Sequence, residues 1–134
     1  MVKFLKPGLI IILCHGRFAG HKAVIVRVYE NGTTERPYPH VVCAGIDRYP
    51  LKVVRGMSSR KIAKRSRVKP FVKVVNMSHF MPTRFSMDID LRGVVNTDSM
   101  SADKRSAAKR QVRKQFEARY RSGKTPWFFT KLRY

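Results

Sequence analysis

The chain has 134 residues, room for one domain and an extension, and 43% are hydrophobic, so part of it can build a core. Its 29 Lys and Arg against 8 Asp and Glu give a formal charge of +21, an excess that repels itself in a compact free state and calls for a polyanionic partner. A membrane is not expected as that partner: it would call for a strongly amphipathic helix or a long apolar span, and the longest apolar run, Leu9–Cys14, is six residues, far below the ~20 needed to span a bilayer. Lys3 and Lys6 imitate the start of a targeting peptide, but Pro7-Gly8 breaks it and no small-residue cleavage site follows, leaving cytosol or nucleus as the default compartment.

In chain order, Leu9–Cys14 is β-branched and apolar, the pattern of a strand buried on both faces. Gly16 and Gly20 then allow a tight link into a second strand, with Arg17, His21 and Lys22 exposed on or beside it. From Lys22 the sequence alternates: Val24, Val26 and Val28 share one face, and Ala23, Ile25, Arg27 and Tyr29 the other. Asn31-Gly32 marks a turn into the segment beginning at Thr33. Val41–Ile46, Leu51–Val54 and Phe71–Val75 are further strand candidates.

Two stretches read as helix. Ser58 or Ser59 caps a short one running to about Arg67, its cations outward and Ile62, Ala63 and Ser66 toward the body. The second spans Ala102 to Ser122, with Ser101 as N-cap and Gly123 as stop. Its apolar stripe of Ala108, Val112, Phe116 and Tyr120 is too thin to hold a helix alone, so a docking surface is required, and ordering is expected only on a polyanion. The expected fold is mainly β: a small barrel or sandwich with a short basic helix, a long basic C-terminal helix and an extended aromatic tail.

The chemistry-bearing residues point to binding. The link Gly16–Lys22 between two strands is either a plain hairpin with solvated charges or the KOW motif of SH3-like barrels, which it resembles and whose usual partner is RNA. Residues 51–87 hold ten Lys/Arg and no acid, densest across Arg60–Lys69. Unpaired, these would only add repulsion, so phosphate contacts are favoured over a merely solvated face, and nuclear import by a receptor is compatible. The ending Trp127–Tyr134 has four aromatics interleaved with Lys131 and Arg133, suited to stacking on bases or to pinning the tail onto the barrel. Cys14-His15 and His40-x-x-Cys43 supply zinc-ligand types, but strand neighbours point to opposite faces, so buried thiols with surface imidazoles are expected and no metal. Asp88 and Asp90 read as a solvated strand end. No nucleophile setting, phosphate loop or dinucleotide fingerprint is present, which predicts neither catalysis, cofactor nor small-molecule substrate.

Several blocks together carry a family resemblance: Gly16-Arg17 through Gly20 with Lys22–Val26, Arg36-Pro37-Tyr38, Ala44–Pro50, Lys61–Ser66, Phe71-Val72-Lys73, His79, Met81–Arg84, Arg119-Tyr120, Gly123-Lys124, and Trp127–Phe129 with Lys131–Arg133. In these the chain is similar, almost end to end, to the eukaryotic ribosomal protein L-twenty-seven family of the large cytosolic subunit. The resemblance implies an SH3-like KOW barrel over 1–90 with the basic helix inserted near 58–67. It further implies that 91–134 form a helix and tail docking on large-subunit ribosomal RNA. Neighbouring large-subunit proteins are the other implied partners, the cytosolic ribosome is the implied location, and nuclear or nucleolar transit precedes assembly. Expected RNA contacts are Arg17, His21, Lys22, Arg48, Lys61, Lys64, Arg65, Arg67, Lys69, Arg84, Arg113, Lys114 and Trp127. A transcription or RNA-processing KOW factor and an RNA-modifying enzyme are the competing readings; the chain lacks the acidic second domain of the first and the acid–base constellation of the second.

Overall fold

A computed structural model describes residues 5–32, 34, 36–51, 53–87, 89, 91, 102–123 and 126–130. Five antiparallel strands form one sheet: β1 (Leu9–Leu13), β2 (Lys22–Tyr29), β3 (His40–Arg48), β4 (Lys69–Asn76) and β5 (Phe80–Ser86). The order is β4-β3-β2-β1-β5, so the fold is mainly β and barrel-like, with β4 and β5 as its edges among the described residues. Helix α1 (Ser59–Arg65) lies between β3 and β4, and helix α2 (Ala102–Arg121) follows β5.

Both faces of the sheet are covered, which is why β1 reads as an unbroken apolar run. Leu9, Ile11, Leu13, Phe18, Ile25, Cys43 and Phe71 pack in one cluster. Ile10, Val24, Val26, Val42, Ala44 and Ile46 pack in the other, against Val112 and Phe116 of α2 and against Phe128 and Phe129. The docking surface that the α2 stripe needs is therefore intramolecular: Val112 and Phe116 are fully buried and Ala108 nearly so.

The alternation expected along β2 breaks at its middle. The register against β3 shifts between Ile25 and Arg27, so Val28 packs with the Ala23/Ile25 cluster and Tyr29 with the Val24/Val26 cluster. One extra residue in one strand reverses every side chain beyond it. The expected strand Val41–Ile46 lies within β3, which begins at His40, while in the candidate Leu51–Val54 the described residues Leu51, Val53 and Val54 are not in a strand, and Leu51 and Val54 are exposed. Strand β5 carries the backbone pairing instead, against β1.

Glycine is required at Gly45, where a Cβ would sit 2.5 Å from Cζ of Phe71 and 2.6 Å from the Lys22 carbonyl. The Phe71 ring occupies that space and stacks on Phe18 at 4.0 Å, closing the β1–β2 link onto the sheet. In that link Gly16 and Gly20 have φ of 86° and 84°, as a tight turn demands.

Helix α1 is capped by Ser58, whose Oγ accepts from the Lys61 N–H, and it buries none of its residues. Ile62 and Ala63 do not face the body as expected; the helix stands off on its caps, and only Ser66, past its end, is buried. The described part of the tail is not extended either. Pro126–Phe129 forms one 3-10 turn that buries Phe128 and Phe129. Ser101, Asp88, Asp90 and 131–134 lie outside the described residues.

Candidate nucleic-acid interface

The cations expected to meet RNA fall into three groups rather than one patch. The first surrounds α1. Lys61 and Lys64 are exposed on the helix, Arg65 is half-buried at its end, and Arg67 is exposed just beyond. Arg48 and Lys69 are cross-strand partners at the adjoining end of β3 and β4, where the Lys69 ammonium lies 3.6 Å from Asp47. Glu117 ties α2 to this group: its carboxylate accepts from the Val68 N–H at 3.2 Å and lies 3.7 Å from Nε of Arg113. Arg113 and Lys114 are thereby held on the exposed flank of α2. The clamp that Glu117 makes between α2 and the residue preceding β4 carries no local signal in the sequence.

The second group is at the β1–β2 link. The Arg17 guanidinium lies 4.7 Å from the centre of the Phe18 ring, and the Lys73 ammonium approaches the same ring at 5.6 Å. The His15 and His79 rings pair at 4.8 Å. Lys73, His15 and His79 were not among the expected contacts, because β4 and the β4–β5 turn reach this end only through the fold. His21 is half-buried; its Nδ1 is 2.8 Å from the Ile46 carbonyl oxygen and its ring stacks on Tyr49.

Lys22 requires a correction. It is 1% exposed, and its ammonium donates to the carbonyl oxygens of Trp127, at 2.5 Å, and Thr130. It also lies 3.9 Å from the centre of the Trp127 ring. A cation there meets carbonyls at the C-terminal end of the 3-10 turn, where a positive charge is favoured; the Trp127 carbonyl also accepts from the Thr130 N–H at 3.1 Å. Burial lowers its pKa from 10.5 to about 8. Lys22 fastens the tail to the barrel and, being buried, does not lie on the surface where a phosphate would meet it.

The third group is on β5: exposed Arg84, beside Phe85, whose ring meets the half-buried Trp127 ring at 4.7 Å.

Of the thiols and imidazoles, Cys14 and His40 depart from expectation, while Cys43 is buried and His15 and His79 are exposed as expected. Cys43 is buried, and burial pushes its thiol up to about 12 against a smaller opposing pull from the Lys73 ammonium. Cys14 is exposed, while His40 is fully buried between Tyr29 and Tyr38 with Nδ1 2.9 Å from the Tyr38 carbonyl oxygen. Among the described residues no three His, Cys, Asp or Glu side chains cluster as metal ligands, and no helix is long and apolar enough to cross a membrane.

Comparison with known proteins covers nearly the whole chain. Residues 10–134 match the model of the Ribosomal L27e protein family. The chain is 50% identical to the large ribosomal subunit protein eL27A of Schizosaccharomyces pombe and 51% identical to eL27 of Pisum sativum, in both cases over 100% of either chain. It is 50% identical to eL27z of Arabidopsis thaliana, again over both full lengths.

Proposed function

The chain belongs to the ribosomal L27e protein family, and on that premise we propose that the α1 segment seats it on large-subunit ribosomal RNA by phosphate contacts. It is a structural constituent of the large ribosomal subunit and not an enzyme. The observation that carries the proposal is α1 itself, a helix that buries no residue yet presents Arg60, Lys61 and Lys64 to the outside. A helix of seven residues without core packing gains little from its own hydrogen bonds, so its place in the molecule is best explained by an external anion. Arg48, Arg65, Arg67, Lys69, Arg113 and Lys114 extend the same phosphate-contacting surface, and Arg17, with His21 beside it, forms a second one at the β1–β2 link. Contacts of this kind position a protein on folded RNA and read little sequence.

In this reading residues 1–90 supply the rigid barrel and its α1 contacts, and 91–134 add the α2 contacts. Neighbouring large-subunit proteins complete the surroundings. The working location is the cytosolic ribosome, reached after nuclear transit in which the α1 run is read by an import receptor. The test is in vitro. Changing Lys61, Lys64, Arg65 and Arg67 together to Ser should reduce the log–log salt slope of binding to ribosomal RNA fragments by roughly 3, at about 0.7–0.9 per lost contact. An unchanged slope would reduce α1 to a solvated face. In cell lysates the unaltered chain should sediment with the large subunit through a high-salt wash.

A further inference from the structure

Strand β5 ends in an exposed aromatic surface that phosphate contacts do not use. Phe85 is 54% exposed and Met81 58%, on a strand whose outer edge is unpaired among the described residues. Phe85 owes its position to an irregular register. Ile11 pairs with Pro82 and Leu9 with Ser86, so two steps along β1 answer four along β5, and the segment 83–85 bulges from the sheet. Bulges of this kind re-aim side chains. The bulge is fixed from within: the Thr83 hydroxyl donates to the Ile10 carbonyl at 2.6 Å and accepts from the Phe85 N–H at 3.2 Å. The Phe85 ring is thus held outward, tilted 38° against Trp127 with centroids 4.7 Å apart. Trp127 is in turn immobilised by the Lys22 ammonium near its ring and on its carbonyl.

We infer that Phe85 and Trp127 form a stacking platform for one unpaired base of RNA, with Arg84 on the adjoining phosphate. The inference rests on the RNA-binding reading above and adds to it a site for a base rather than a backbone. Three observations favour a nucleotide over an apolar protein partner. The apolar surface is narrow and carries exposed Arg84 in its middle. It ends the 51–87 stretch, which contains ten Lys/Arg and no acid. And the two rings already pack against each other before anything binds, which lowers the ordering cost of stacking.

Trp127 is the only tryptophan in the chain, so its fluorescence reports the platform directly. The full chain is titrated with a single-stranded oligoadenylate, with an abasic strand of equal length, and with a fully paired RNA duplex. The base-bearing strand should quench Trp127; the abasic strand and the duplex should bind without comparable quenching. Phe85→Ala and Phe85→Leu should each weaken oligoadenylate binding about tenfold, the order expected for loss of one stacked base, and leave duplex binding unchanged. Equal quenching by the abasic strand, or unaltered oligoadenylate affinity in both variants, overturns the platform while the phosphate reading stands. Full retention by Phe85→Leu with loss only in Phe85→Ala also overturns it, since apolar bulk without a π face would then suffice, as for a protein contact. Failure of the unaltered chain to bind any of the three removes the underlying reading as well.

Discussion

Helices α1 and α2 are both strongly basic, and the fold treats them in opposite ways. Helix α1 buries nothing and is fixed by its caps and the chain on either side. Helix α2, with Lys104, Arg105, Lys109, Arg110, Arg113, Lys114, Arg119 and Arg121, places Val112 and Phe116 in the same cluster as the sheet. Charge density does not separate them; apolar spacing does. Ala108, Val112, Phe116 and Tyr120 recur every fourth residue and stay on one side of the helix, whereas α1 has Ile62 alone, 37% exposed. A basic helix with a stripe becomes scaffold, and one without it is left for the solvent or a ligand.

The largest effect should come from the stripe. Phe116→Ala removes a fully buried ring that meets Phe128 and Phe129, and should cost about 3–5 kcal/mol in denaturant unfolding. The same contacts predict slow amide exchange across Val112–Phe116 in the RNA-free protein and fast exchange throughout α1. Exchange as fast in α2 as in α1 would erase the distinction.

Next is Lys22→Met, which keeps the stem's packing but takes the Lys22 donor from the Thr130 carbonyl and leaves the Trp127 carbonyl with the Thr130 N–H alone, at a cost of about 2 kcal/mol. Its pH signature is specific. The folded chain holds Lys22 at about 8 and the unfolded chain near 10.5, so between these values the unfolded state binds more protons and stability rises with pH. The neutral amine still has two N–H groups for the two carbonyls. In Lys22→Met this contribution, about one proton at most, should vanish from the pH dependence of unfolding.

Glu117→Gln should cost about 1 kcal/mol, by weakening the bond to the Val68 N–H and the pairing with Arg113. Ile62→Ala should be the smallest, within about 0.5 kcal/mol of neutral, because the side chain leaves little buried surface behind. A cost above 1 kcal/mol would place α1 in the folded core after all.

Much of this was legible from residue patterns. The apolar run of β1, the strand around Val41–Ile46, the Ser58 cap and the α2 stripe each follow from local periodicity or local hydrogen bonding. What escaped depended on distant partners. The bulge in β2 lies inside an apparently regular alternation, and only pairing with β3 reveals it. Lys22 sits among exposed-looking cations and is buried because residues more than a hundred positions away fold over it. Strand β5 includes Pro82 and has mostly exposed residues, so neither propensity nor alternation marks it; its pairing with β1 makes it a strand. Of the candidate contacts, the α1 cations stand out in the sequence as a dense acid-free run, whereas Phe85 is a single exposed aromatic and carries no pattern.

The closure of the C-terminal turn over Lys22 also sets a timetable for synthesis. The lysine and its two carbonyl partners are separated by 105 and 108 positions, so at about 5–20 residues per second the lysine waits roughly 5–20 s for them. During that interval its ammonium remains hydrated, and even once the five strands are made the turn that covers it is missing. A chain interrupted before Trp127 lacks the turn that covers Lys22 and leaves that lysine to water.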